Sequence, residues 1–201
     1  MTLGIYVCEC VGGGDHRPHC TVQGKCALRL PPRLGKISTD KALLYTVAQI
    51  VGSFLGACVA AYLTKGQTIL PGPGQGYEMG HVIIAEFFFS AFLVYTVLNV
   101  ATTSKQSGND YFGLAIGSVV VVGAVSVGGI SGCCLNPAVS TGLGLAHMTF
   151  ALATGASVEW AVLCTNLLTY FTIPLAGAVL AVFLFRFARE DEKSGLYVQL
   201  E

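Results

Sequence analysis

The stretch Gly129-Ile130-Ser131-Gly132-Cys133-Cys134-Leu135-Asn136-Pro137-Ala138-Val139-Ser140-Thr141-Gly142 decides how the chain is read. Extended to Ser157, it is too apolar for an exposed loop. It is also too broken by Gly132, Pro137, Gly142 and Gly144 for a full membrane crossing. Pro at the first turn of a helix sacrifices no hydrogen bond and presets φ, so Pro137 predicts a helix start. Asn136 then falls at the N-cap, with its amide free to donate away from the helix. A short helix dipping into the membrane fits this pattern, because non-helical backbone at that depth must be buried in protein or line a wet cavity. An apolar loop lying on the membrane surface, or an ordinary Asn-Pro turn, is the competing reading.

The flanking sequence supplies that membrane. Four stretches are long enough to cross a hydrocarbon core, which takes roughly 17–25 apolar residues: 42–63, 80–101, 112–129 and 158–185. Over the 201 residues, 53% are hydrophobic and only 11% charged, with a mean hydropathy of +0.67. A soluble domain carries about 25% charged residues. Glu86 is the one charge deep inside a span, and an ionisable group there marks a functional or structural polar site. Gly52 with Gly56, and Gly113 with Gly117, form small-xxx-small pairs that predict close helix packing. The linkers read as turns, with Pro71-Gly72-Pro73-Gly74 in one and Gly108-Asn109 in the other.

Ten of the eleven Lys and Arg residues fall in segments 1–41, 102–111 and 186–201, leaving Lys65 on the other side. The positive-inside rule places both termini in the cytoplasm and leaves the identity of the membrane open. No secretory signal precedes Cys8, Cys10, Cys20 and Cys26, which argues against a secreted disulfide framework. A net charge of zero gives no hint of nucleic acid. An enzyme is disfavoured, since no nucleophile–base pair or phosphate loop is visible, and no cofactor is implied.

With Asn136-Pro137-Ala138 in this setting, the chain resembles the aquaporin, or major intrinsic protein, family. Leu44 to Gln49 with Gly52 and Gly56 is similar to the family's third helix, Ala85 to Ser90 to its fourth, and Pro174 to Ala178 to its sixth. The resemblance implies an all-α membrane protein, an aquaporin-like right-handed bundle that is incomplete: four spans plus one re-entrant half-helix. It implies a tetramer and a path for water and small neutral solutes past Asn136, with the half-helix dipole repelling protons and cations. The carbonyls of Gly132, Cys133 and Cys134 would continue that path. In this family Glu86, with the Ser90 hydroxyl one turn later, would brace the half-helix loop. Counting from Asn136, the narrowest filter falls on Ala124, Cys133 and Val139. Val139 stands where Arg is usual, a form that resembles some plant vacuolar-membrane aquaporins and implies a wider, less polar opening. Cys133 at the constriction predicts block by mercurials, with Cys134 packed behind it. His147 is expected at the outer end of the half-helix.

Residues 1–41 contain no span and read as an irregular segment, a degenerate or truncated first half. Gly13-Gly14-Asp15-His16-Arg17-Pro18-His19 is a faint echo of the family's first half-helix loop. The membrane domain is assigned to 42–187 and a cytoplasmic tail to 188–201. Three readings remain open: a channel, alone or by association; a non-conducting subunit that joins full-length channels; and a membrane-anchored metal-binding protein using Cys8, Cys10, His16, His19, Cys20 and Cys26. The spacing of those six matches no closed zinc pattern, so a peptide covering residues 1–30 is expected to take up no stoichiometric zinc. Tight one-to-one uptake would favour the third reading.

Overall fold

The structure, a computed structural model, describes residues 39–101, 103, 106 and 109–189. The expectations for the N-terminal Cys and His residues, the Gly13–His19 echo and the C-terminal tail beyond Arg189 lie outside these. Five helices follow one another: α1 (Thr39–Leu63), α2 (Met79–Ala101), α3 (Phe112–Ser131), α4 (Pro137–Thr154) and α5 (Trp160–Ala188). All except α4 are long and apolar enough to cross a membrane, which matches the four expected spans to within a few residues.

The second helix is central, packing on α3 and α5, while α4 lies between α1 and α5. One apolar cluster joins α2 to α3 through Leu93, Val97, Ile116 and Val120. Another joins α2 to α5 through Val94, Leu98, Ala178 and Ala181. The outer faces stay apolar: Leu44, Val51, Leu55 and Val59 of α1 and Val121 and Val125 of α3 are exposed, as helices facing lipid require.

Side-chain contacts fix the height at which α4 begins. Ser53 Oγ donates to the Val139 carbonyl at 3.0 Å, and Gln49 meets Asn136; both flank the midpoint of α1. Further along, Thr68, just past the end of α1, lies 2.9 Å from His147 Nδ1. The fourth helix therefore runs beside the second half of α1, from mid-height outward, as the re-entrant reading requires. It does not end near His147. It continues to Thr154 and stops at Gly155 in the left-handed conformation, about 10 Å further on at 1.5 Å per residue.

The close approaches fall on other glycines than expected. A Cβ on Gly52 or Gly113 would meet nothing within 4 Å, so neither makes a tight helix crossing. At Gly142 a Cβ would sit 2.5 Å from Ser53 Cβ and 2.7 Å from the Phe54 amide nitrogen. At Gly177 it would sit 2.4 Å from the Phe87 carbonyl oxygen. Backbone cannot yield as a side chain can, so Gly142→Ala and Gly177→Ala should each lower unfolding free energy in micelles by about 1–3 kcal/mol. Gly52→Ala should be neutral or stabilising by up to about 1 kcal/mol. Equal effects at all three positions would contradict this packing.

Candidate functional site: the half-helix loop and Asn136

Between α3 and α4 the chain turns in five residues. Gly132 caps α3 in the left-handed region at φ 79°, its N–H bonded to the Gly128 carbonyl, a common way for a helix to end. Cys133 and Leu135 also take left-handed conformations, each at φ 51°. For residues with a Cβ this costs about 1–2 kcal/mol apiece, so something must hold them there.

Glu86 of α2 does so. Its side chain is fully buried. One carboxylate oxygen accepts from Ser131 Oγ at 2.7 Å and from the Cys134 N–H at 3.0 Å. The other accepts from the Leu135 N–H at 2.7 Å. Ser131 Oγ in turn accepts from the Cys133 N–H at 3.1 Å. Three successive loop amides are thus drawn to one side. Among the described residues, the carbonyls of Gly132, Cys133 and Cys134 accept no hydrogen bond and remain available as acceptors.

Ser90 does not share this work. Its hydroxyl is buried without a hydrogen-bond partner among the described residues, because it lies one turn further along α2, against the α5 backbone at Gly177. The bracing hydroxyl is that of Ser131. Its sequence signal was a polar residue inside the apolar run that opens the decisive stretch.

Asn136 is the N-cap of α4, in extended conformation at φ −150°. Its Oδ1 accepts from the Ala138 N–H at 2.9 Å, while its carbonyl accepts from the N–H groups of Val139 and Ser140. Pro137 has no N–H. The orphan N–H groups of Ala138 and Val139 are therefore answered by Asn136, and Pro137 has none to answer, leaving the Asn136 Nδ2 amide as the outward donor. It makes one long contact, 3.4 Å, to Gln49 Oε1, and the residue is only half-buried. Gln49 and Ser53, polar residues inside the first apolar span, are site residues that motif reading passed over.

The three expected filter residues do not share one environment. Ala124 on α3 is exposed. Cys133 is 3% exposed and packs into the α2–α3 cluster, its sulfur against Gly123. Val139 belongs to a different cluster, with Val82, Cys134 and Tyr170. Cys133 thus departs from the expected pore-wall position: left-handed backbone turns its side chain toward the space over Gly123, where no Cβ competes. Cys134 is packed away as expected.

A sequence model of the major intrinsic protein family matches residues 1–185. The chain belongs to that family. It is an integral, multi-pass membrane member, and the match takes in the N-terminal segment, where motifs offered only the Gly13–His19 echo. The chain is 30% identical over 160 residues to a probable TIP-type alpha aquaporin of Phaseolus vulgaris, covering 77% of this chain and 56% of that one. It is 32% identical over 189 residues to the probable aquaporin PIP2-8 of Oryza sativa subsp. japonica, covering 89% and 61%. With aquaporin-4 of Mus musculus it shares 28% identity over 182 residues, covering 88% and 50%. The chain thus spans about half to two thirds the length of the curated relatives it matches.

Replacing the Glu86 carboxylate tests the brace. Glu86→Gln puts an NH₂ donor where an oxygen now accepts from an N–H, leaving a buried donor unpaired at about 1–3 kcal/mol. Thermal unfolding in micelles should show that loss, together with faster alkylation of Cys133 and Cys134 as the loop loosens. Unchanged thiol reactivity would separate Glu86 from the loop.

Proposed function

We propose that this chain forms the Asn-Pro-Ala half of a channel that passes water and small neutral solutes, such as glycerol, urea or ammonia, across a membrane. The observation that carries this reading is the Asn136 amide. It is a neutral donor fixed at the half-height start of α4, with the positive end of the helix dipole behind it, roughly half an elementary charge. A passing solute accepts through its oxygen from this donor and then donates an O–H or N–H to the carbonyls of Gly132 to Cys134. A hydronium or metal ion meets the same positive potential and is disfavoured.

A permissive selectivity is supported by the residue types at the positions the family resemblance gives to the filter and by the scarcity of basic residues. Between residues 80 and 185 no arginine occurs, and Lys105 is the only lysine. Val139, directly after Asn136-Pro137-Ala138, is apolar and buried, and Ala124 leaves the exposed wall of α3 small. The charge distribution supports cytoplasmic termini. Association is part of the proposal, either as a homotetramer or with longer channels of the family.

Aspartate caps a helix as well as asparagine does but cannot donate when ionised. Asn136→Asp should therefore keep α4 intact while removing the donor. In proteoliposomes under sucrose, glycerol and urea gradients, solute and water permeability of this variant should fall roughly five- to tenfold, the effect of one lost hydrogen bond on the path. Asn136 is not the donor on the path if the variant conducts like wild type. Conduction by the wild-type chain alone is read in the same assay. Permeability no higher than in empty vesicles would sink the stand-alone channel and leave the partner subunit, to be tested by co-reconstitution with a longer family member.

A further inference from the structure

Tyr170 of α5 is completely buried among Val82, Cys134 and Val139, where a phenol must place its proton on an acceptor. It donates to the Ser131 carbonyl, and the Gly72 carbonyl lies 3.3 Å from the same hydroxyl. One turn earlier on the same face, Asn166 Nδ2 donates to the Pro71 carbonyl at 2.8 Å. From the other side, the Gly74 N–H donates to the Ile130 carbonyl at 2.8 Å. The segment 71–74, which the sequence presents as a plain turn, is a strap laid across the end of α3. A Cβ on Gly74 would stand 1.9 Å from the Gly129 carbonyl oxygen, which shows how closely it lies.

These bonds have a common target. The last carbonyls of a helix lack partners within it. At the end of α3, Ile130 finds its partner in the strap and Ser131 in Tyr170. Ser131 is then held at both ends, its hydroxyl by Glu86 and its carbonyl by Tyr170. The peptide that joins it to Gly132 cannot rotate, and the directions of the following carbonyls depend on that peptide.

We propose that Tyr170 is a positioning residue. With Asn166 it ties strap 71–74 to Ser131, the residue from which loop 132–135 departs, so that the carbonyls of Gly132, Cys133 and Cys134 keep one direction. The tie stands on the hydrogen bonds themselves; only the use of those carbonyls as a solute path rests on the channel reading.

The test is amide hydrogen exchange of the full chain in lipid nanodiscs, with Tyr170→Phe keeping the ring and removing the hydroxyl. Exchange in segments 70–76 and 130–136 is expected to rise about tenfold, the scale of one hydrogen bond, with residues 83–98 of α2 unchanged. Asn166→Leu, which leaves Tyr170 in place, is expected to loosen the same two segments together. Unchanged exchange in both segments, or a uniform rise across α2, α3 and α5, would overturn the proposal, the latter by showing a role in folding alone. If Tyr170→Phe does not fold, Asn166→Leu decides: loosening of the strap with the loop still protected overturns the tie. Permeability measured on the same variants is independent, since a wild-type chain that fails to conduct removes the channel reading and leaves the exchange comparison intact.

Discussion

The Glu86 carboxylate, accepting three hydrogen bonds from Ser131, Cys134 and Leu135, is the constraint on which the rest of this structure depends. Moving a carboxylate out of water costs several kcal/mol unless donors replace the water. Here the donors come from a loop whose own conformation is unfavourable, with left-handed backbone at Cys133 and Leu135. Each half offsets the cost of the other. Loop amides that would otherwise be unpaired at membrane depth find a fixed acceptor, and the carboxylate finds a substitute for hydration. Because the exchange is mutual, the loop has one well-defined shape, and α4 has one starting point.

That starting point sets the function the chain can support. A helix beginning at the edge of a membrane would direct its N-terminus at water. Beginning beside the midpoint of α1, held by Ser53 and by the absence of a side chain at Gly142, α4 directs it into the interior. Asn136 answers the N–H groups of Ala138, Val139 and Ser140, and Pro137 has none, so what is left to face the interior is a neutral amide backed by a dipole. In the proposed channel such a site would hold a neutral solute weakly enough to let it leave, as conduction needs.

Much of this was legible without coordinates, for physical reasons that differ from residue to residue. Pro137 and Asn136 announce a helix start because proline's ring and asparagine's short amide act locally, within three residues. The four spans are legible because a membrane demands length and apolarity, both of which are one-dimensional. Glu86 stood out because a charge inside a span must have a partner. The identity of that partner was another matter. The expected hydroxyl at Ser90 and the actual one at Ser131 are both one helical turn or one chain segment away. Only the packing of α2 against Gly177 of α5 on one side and against the loop on the other distinguishes them.

The sequence by itself determined an all-helical membrane protein of the major intrinsic protein family, a helix starting at Pro137, and Asn136 as its cap. These come from local geometry and from the solvent the chain must satisfy. The tertiary structure alone decided that Cys133 packs over Gly123, that Gly142 and Gly177 rather than Gly52 and Gly113 carry the tight crossings, and that strap 71–74 and Tyr170 bond the last carbonyls of α3. Each of these joins residues from about 10 to nearly 100 positions apart, and the contact depends on which faces of two helices meet. No periodicity within either helix records that choice.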